Sequence, residues 1–369
     1  MDNTKHRILL ETLRSEILSG RYNAACSFPS VNALVRRFGA KRSTVYWVTR
    51  ELERQGLLVS RQGRGSVVAQ LGRSRTIGLI LPGLAYSEFF QPIASTLIRV
   101  AKEKEYTLLF GDVFSNDRTE RFAEAKDLAA DFIRKKIAGL IYQPLEYFSD
   151  GGETNRRILS VFDRARIPVV LLDSDILPPP ERSAYDLVSI NNVDAGEQLA
   201  LHLKERGAKN IWFLMRPNWI PNVKNRYRGF KLAKISGGGV NCRNNDMLLA
   251  EPDDIDAVRK CMRRHPRPDA FVCENDTSAA ILRNSLASLG YSVPEDILLA
   301  GFDDLKVAQT ATPQLTTIHQ PCEELARVAF NRLLERMAKP TLPRQDIFVE
   351  SYLVVRNSTD RKSKGCRRK

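Results

Sequence analysis

The chain has 369 residues, of which 43% are hydrophobic and 27% charged, and its formal net charge is +14. That length suits two or three domains, and without a run of about 18 apolar residues no membrane-spanning helix is expected. Six scattered cysteines form no Cys-x-x-Cys pair, which argues against a zinc site and for a reducing compartment. The first residues, MDNTKHRILLETLRSEIL, are too charged for the apolar core of a secretory signal, so a cytoplasmic protein is expected.

The charge is segregated. Residues 1–72 hold 12 Lys+Arg against 5 Asp+Glu, and residues 356–369 hold 7 against 1. The long middle stretch is close to neutral. A small basic unit on a neutral body is the electrostatic footprint of phosphate-backbone binding. The basic tail, 358–369, reads as a disordered, solvated end.

Residues 4–19 predict an opening helix with Leu10, Leu13 and Ile17 on one face, ended by Gly20. Ser30 is a good N-cap for a second helix carrying Val31, Leu34, Val35 and Phe38 at helical spacing, and Gly39 stops it. A third helix turns Val45, Val48 and Leu52 inward and ends at Gly56. Leu57–Val59 and Ser66–Ala69 predict two strands around the tip Arg61-Gln62-Gly63-Arg64-Gly65, whose glycines suit a hairpin turn. The third helix starts with the polar run Lys41-Arg42-Ser43-Thr44, which is the part of a helix-turn-helix that meets base edges and phosphates.

After a polar linker, residues 70–75, the pattern changes to apolar runs alternating with amphipathic helices, the signature of βαβ units. Strands are predicted at 76–81, 107–110, 138–142 and 167–173, with helices at 89–104, 119–135 and 155–165 between them. A second series is expected to begin with the strand Leu187–Ile190 and to run through strands at 210–215, 247–250, 270–273 and 297–302. Two successive doubly wound halves imply two lobes with a cleft, and ligands sit at the C-terminal ends of such strands.

The N-terminal residues resemble the winged helix-turn-helix of GntR-type regulators. The matching pieces are Leu13-Arg14-Ser15-Glu16-Ile17, Phe28-Pro29-Ser30, Phe38-Gly39, Ser43-Thr44-Val45, Leu52 to Leu57 and Gly63 to Ser66. The remainder, roughly 75–357, resembles the LacI/GalR-family effector domain, itself similar to periplasmic sugar-binding proteins. That likeness rests on Ile77-Gly78-Leu79-Ile80, Asn225 to Phe230, Asn275-Asp276, Val293 to Asp296, Gly301 to Asp304 and Pro313 to Pro321. The combination is similar to the chimeric, arabinose-repressor class of bacterial regulators. The implied fold is α/β: a small winged helix-turn-helix head (1–69) followed by a two-lobed, periplasmic-binding-protein-like body (76–357) of two doubly wound parallel sheets. Lobe 1 is expected at about 76–186 plus 321–348, and lobe 2 at about 187–320 plus 349–357.

The resemblance implies a DNA-binding transcriptional regulator, a repressor and homodimer, that binds double-stranded operator DNA and a small polar, sugar-like effector, with no cofactor, metal or membrane partner. Arg42, Ser43 and Thr44 would touch DNA, with Lys41 beside them and Gly63 and Arg64 at the wing. Ser30 is either a contact or a plain helix cap. Val31-Asn32 and Tyr46 depart from the family pattern; Tyr46 keeps a hydroxyl for phosphate or a ring for sugar. For the effector, a polyhydroxylated ligand needs an apolar face and fixed polar groups. Phe89 and Phe90, Lys224, Asn275, Asp303 and Gln320 fall on the family's ligand positions, although two phenylalanines at a helix start also suit a core. Asp173, ending a strand, and Trp219 are further candidates, while Arg226 reads as support for the lobe and Asp304 as a strand-end cap or ion-pair partner.

One enzymatic alternative is open at this level. Asp173-Ser174-Asp175 after an apolar strand is similar to the metal-binding Asp-x-Asp of glycosyltransferases. No His/Asp cluster stands beside it, and Gly237-Gly238-Gly239 lacks a nucleotide-loop register.

Overall fold

The computed structural model describes residues 3–18, 22, 28–55, 57–61, 65–68, 75–84, 87–113, 118–145, 152–236 and 246–361. The expected contacts Gly63 and Arg64, the linker 70–74, the loop Gly237–Gly239 and the tail from 362 lie outside these residues. The chain divides into two compact units, residues 1–75 and 76–369.

In the first unit, helix α1 (Asn3–Leu18) buries Leu9, Leu13 and Ile17, one residue per turn. Helix α2 (Val31–Phe38) starts where the Ser30 hydroxyl accepts from the amide of Ala33 at 3.3 Å, and stops at Gly39, whose φ of 58° suits glycine. Helix α3 (Arg42–Arg54) closes the core with Val45, Val48 and Leu52. Strands β1 (Leu58–Arg61) and β2 (Gly65–Val68) pair antiparallel, Leu58 opposite Val68, and lay both residues on the helices. The Arg37 guanidinium donates to Glu16 and, at 2.6 Å, to the Tyr22 hydroxyl, tying α1 to α2.

The second unit opens with β3 (Thr76–Ile80), α4 (Phe90–Glu103), β4 (Thr107–Gly111), α5 (Arg118–Arg134), β5 (Gly139–Tyr142), α6 (Glu153–Arg164), β6 (Val169–Leu172) and β7 (Asp186–Ile190). It continues with α7 (Asn192–Glu205), β8 (Ile211–Met215), α8 (Pro221–Ser236), β9 (Met247–Leu249), α9 (Ile255–Met262), β10 (Ala270–Cys273) and α10 (Asp276–Ser288). It ends with β11 (Leu298–Asp303), α11 (Lys306–Thr310), β12 (Thr316–His319), α12 (Cys322–Ala338), β13 (Asp346–Val349), β14 (Tyr352–Val354) and a 3-10 turn (Asn357–Thr359).

These strands build two six-stranded sheets, β13-β7-β6-β5-β3-β4 and β14-β12-β11-β10-β8-β9. Every pairing in them is parallel except β12 with β14. One expectation is corrected here. Strand β7 does not open the second lobe; Leu187 is aligned with Leu171 of β6 on one side and Asp346 of β13 on the other, so β7 completes the first sheet. The chain passes between the lobes at Asn191, at Gln320-Pro321 and at Glu350-Ser351, which moves the lobe boundary from 186 to 190. The inner strands β5, β6, β8 and β10 are buried throughout and read as apolar runs because both faces of each sheet are covered there.

Two details fix where the cleft residues stand. Helices α7 and α8 touch backbone to backbone: a Cβ on Gly229 would lie 1.8 Å from the carbonyl oxygen of Val193, and one on Gly196 2.0 Å from that of Arg226. At the base of the first sheet, buried Asp186 accepts from Arg332 at 2.9 Å and Arg336 at 2.8 Å, joining α12 to β7.

Candidate nucleic-acid face and candidate ligand pocket

On the head, Ser30, Lys41, Arg42 and Ser43 are exposed. Thr44 is not. It is 7% exposed, and its hydroxyl lies 3.1 Å from Nε2 of His6 on α1. The helical phase that turns Ser43 outward turns Thr44 inward, so the polar run is split between surface and core. Ser43, Tyr46, Trp47 and Arg50 lie one turn apart on the outward stripe of α3, with Tyr46 54% and Trp47 50% exposed. Acidic neighbours on this helix are engaged. Glu51 accepts from Arg54 at 2.7 Å and 2.8 Å and from Gln55 at 2.8 Å, bonds that hold its carboxyl at about 2. Glu53 accepts from Ser66 of the wing at 3.3 Å. The outward stripe thus carries cations and hydroxyls, as contact with a phosphate backbone requires. Arg50 and Trp47 were missed in the sequence; their signal is the spacing of four residues, Arg50 from Tyr46 and Trp47 from Ser43.

Between the two lobes of the body lies a cavity of about 410 Å³. From the first lobe, Phe89 and Phe90 at the start of α4 set their rings edge to face, centroids 5.1 Å apart. Gln143 follows β5 and Asp173 follows β6. From the second lobe come Trp219 and Asn222 at the start of α8, Arg226 one turn on, Asn275 at the start of α10 and Asp303 at the end of β11. Gln320, in the second crossing, closes the set. Asp173 and Asp303 have φ of 67° and 102°, a conformation that costs a non-glycine residue about 1–3 kcal/mol and clusters at functional sites.

The polar groups are ordered by the two carboxylates. Asp173 Oδ2 accepts from the Asn222 amide at 2.7 Å and the Gln143 amide at 3.3 Å; Asp303 Oδ1 accepts from the Gln320 amide at 2.6 Å. With each amide nitrogen so engaged, the paired oxygen faces the other way. Gln143 Oε1, Asn222 Oδ1, Gln320 Oε1 and Asp173 Oδ1 are buried and have no partner. An unmet buried acceptor costs about 1–3 kcal/mol, and the four residues that carry these all line the one cavity.

Two arginines line the pocket, Arg216 and Arg226, and Arg226 is the buried one. It is 4% exposed, donates to the carbonyl of Glu274 at 2.6 Å and to Asn192 at 2.9 Å, lies 3.7 Å from Asp303, and stacks 4.3 Å over Phe302. It therefore lines the cavity as well as bracing the lobe. Burial pushes the Asp173 carboxyl up to about 6, with Asp303 adding to the rise and Arg226 opposing it. Asp303 is raised by burial too, against Arg226 and Gln320.

Seven of the eight sequence-based candidates, Phe89, Phe90, Asp173, Trp219, Asn275, Asp303 and Gln320, line this one cavity. Lys224 does not; its ammonium sits 4.7 Å over the Trp219 ring and backs that aromatic from outside. Asn275 shares its role, because its Oδ1 caps α10 by accepting from Ser278 at 2.8 Å, which leaves the Nδ2 donor for the cavity. Gln143, Asn222 and Arg226 were not foreseen as cavity residues; their signal is burial without full pairing, which a sequence does not display. Asp304, read as a strand-end cap or ion-pair partner, pairs with Arg356 and, at 3.0 Å, with His319.

The Asp-x-Asp alternative fails on geometry. Asp175 turns away from Asp173 into its own loop, accepting from Leu177 at 2.9 Å and the Ser183 hydroxyl at 3.1 Å and pairing with Arg182 at 3.2 Å. Among the described residues no group of three or more His, Cys, Asp or Glu could hold a metal ion.

Residues 7–68 match the bacterial regulatory proteins of the gntR family, and residues 200–359 match the periplasmic binding protein-like domain. Over 368 residues, 96% of this chain and 97% of the relative, the sequence is 27% identical to an arabinose metabolism transcriptional repressor of Geobacillus stearothermophilus. It is 26% identical to the ribose operon repressor of Escherichia coli over 293 residues, 78% of this chain and 83% of that one. A solved LacI transcriptional regulator from Alkaliphilus metalliredigens, complexed with D-xylulofuranose, matches 78% of this chain and 100% of its own with a TM-score of 0.62 at 25% identity. These relatives regulate transcription; they are not enzymes.

Proposed function

Because this chain joins a DNA-binding head of the gntR family to a two-lobed, periplasmic binding protein-like body, we propose that it is a transcriptional repressor whose grip on its operator is set by a small sugar-like ligand in the cleft. The observation that carries the ligand reading is that four residues lining one cavity each keep a buried acceptor without a partner. A monosaccharide offers several hydroxyl donors around a ring with apolar faces, which matches Phe89, Phe90 and Trp219 on one hand and the amide and carboxylate oxygens on the other. The cavity volume suits a small molecule, for which sites of about 300–1,000 Å³ are usual. Arg226 and Arg216 are already matched by Asp303 and Glu274, so an uncharged ligand fits better than a phosphorylated one.

One recognition helix covers one half-site, so two copies on a near-palindromic operator gain by linked binding, and the working form is a homodimer. The edge strand β4 with exposed Phe110, and α4 with exposed Ile98, support such a contact on the first lobe. Ligand that favours one lobe arrangement shifts the dimer between head spacings, which is coupling by differential affinity. The place of action is the cytoplasm, on the nucleoid.

A thermal-shift screen of aldoses, polyols and sugar phosphates, repeated with a gel shift on DNA from the chain's own promoter, tests the reading. An uncharged sugar should raise the unfolding temperature and alter the gel shift. If only sugar phosphates or only non-sugar compounds act, the ligand reading fails while the DNA reading stands.

A further inference from the structure

On the outward stripe of α3 one pair is organised before any DNA arrives. Arg50 donates to the Tyr46 hydroxyl through Nε at 3.3 Å and through Nη2 at 3.2 Å, with its guanidinium carbon 5.5 Å from the ring centre. Glu53 Oε2 stands 3.7 Å from Nη1, at ion-pair rather than hydrogen-bond distance. Two consequences follow from donor arithmetic. The phenol oxygen spends its acceptor capacity on the arginine, so its own O–H is left to donate. The guanidinium spends Nε–H and one Nη2–H on the tyrosine, and its outer edge keeps the remaining Nη1 and Nη2 hydrogens side by side. The Arg50 side chain is 66% exposed, on the same stripe as Ser43 and Tyr46.

An arginine edge with two parallel donors and no acceptor is complementary to the O6 and N7 acceptors that guanine alone shows together in the major groove. A flexible exposed arginine would surrender side-chain freedom on binding; one already held by Tyr46 surrenders less. Resting on the reading of the head as the DNA-binding unit, we infer that Arg50 reads a guanine in each operator half-site and that Tyr46 is its positioning residue rather than an independent phosphate contact.

The test is selection of binding sequences from a randomised duplex pool by the full chain, compared among wild type, Arg50→Ala, Arg50→Lys and Tyr46→Phe. Wild type should enrich one G·C pair per half-site, favoured roughly 5- to 150-fold over other pairs at that position. Arg50→Ala should lose that preference alone and keep the rest of the consensus, Arg50→Lys should not restore it, and Tyr46→Phe should weaken it without changing the base chosen. An unchanged consensus for Arg50→Ala overturns the assignment. So does an equal loss on all sequences with a shallower salt dependence, which identifies a phosphate contact. A Tyr46→Phe pool identical to wild type removes the positioning role. A wild-type pool with no enriched sequence overturns the DNA-binding reading itself.

Discussion

The side-chain amide of Asn222 donates to Asp173 across the cleft at 2.7 Å, so a residue of the second lobe is bonded to a buried carboxylate of the first. Both residues line the cavity between the lobes, and each also carries a buried oxygen without a partner.

That burial gives a pH signature. The Asp173 carboxyl stands at about 6 in the folded chain against 3.8 for the free group. Between those values the folded state holds more protons than the unfolded one, so stability falls as pH rises through the window. Asp173→Asn removes this slope, and it also relieves Asp303 of a neighbouring charge. The variant should therefore gain about 1–2 kcal/mol on wild type between pH 5 and pH 7.5. Urea melts of both proteins at the two pH values measure it; a constant difference would mean that the Asp173 charge is compensated in some other way.

Asp303 sits between Gln320 and Arg226 inside the cavity. Asp303→Ala frees both to turn and removes a hydroxyl acceptor. DNA binding without ligand should be retained, while ligand should no longer change the gel shift. A variant that responds at wild-type ligand concentrations would take Asp303 out of the site.

At the head, Arg42→Ala should weaken specific DNA binding by about 1–3 kcal/mol. Thr44→Val, by contrast, removes a hydroxyl bonded to His6 and should lower head stability by about 1 kcal/mol while leaving the selected sequence unchanged. Parallel gel shifts and thermal melts separate the two effects. Altered sequence preference for Thr44→Val would restore it as a DNA contact.

Gly229→Ala pushes a methyl into the Val193 carbonyl, where backbone rather than a side chain must move. A loss of about 3 kcal/mol is expected, at the upper end for overpacking. Because α8 also carries Asn222 and Arg226, ligand affinity should fall with stability. Calorimetric titration showing unchanged affinity would separate the helix contact from the site.

Asp186→Ala leaves Arg332, 4% exposed, without its buried counter-charge. Loss of one partner of such a pair destabilises by about 3–5 kcal/mol, read as a lower urea midpoint for the body. A midpoint within error of wild type would show that Glu335 and the carbonyls of Pro340, Leu342 and Pro343 satisfy the two arginines without Asp186.

Much of this was legible from residues alone, for local reasons. Ser30 and Gly39 bound α2 because capping and left-handed backbone are properties of single residues. The apolar runs from Ile77 to Phe302 read as strands because doubly covered sheets need them. Sheet membership is not local, however, and an alternating βα pattern looks the same wherever a chain changes lobe. Leu187–Ile190 was misassigned for that reason. Thr44 reads as a surface residue because its neighbours are polar, although its helical phase is that of the core. In the cavity, Asp173 and Asp303 betray themselves at strand ends, whereas Gln143 and Asn222 become distinctive only when a carboxylate takes one end of each amide and leaves the other unmet.

The first sheet begins with β3 at Thr76 and is not finished until β13, Asp346–Val349, pairs with β7. Phe330 and Leu333 of α12 fill the same core as Ile77. The first lobe therefore waits for almost the whole chain to leave the ribosome, and its contacts are of the long-range kind that form slowly. The head, whose core lies within residues 9–68, has no such wait. During synthesis the DNA-facing unit is complete while the sensing unit is still open, so every new molecule passes through an interval in which it has a reader but no receiver.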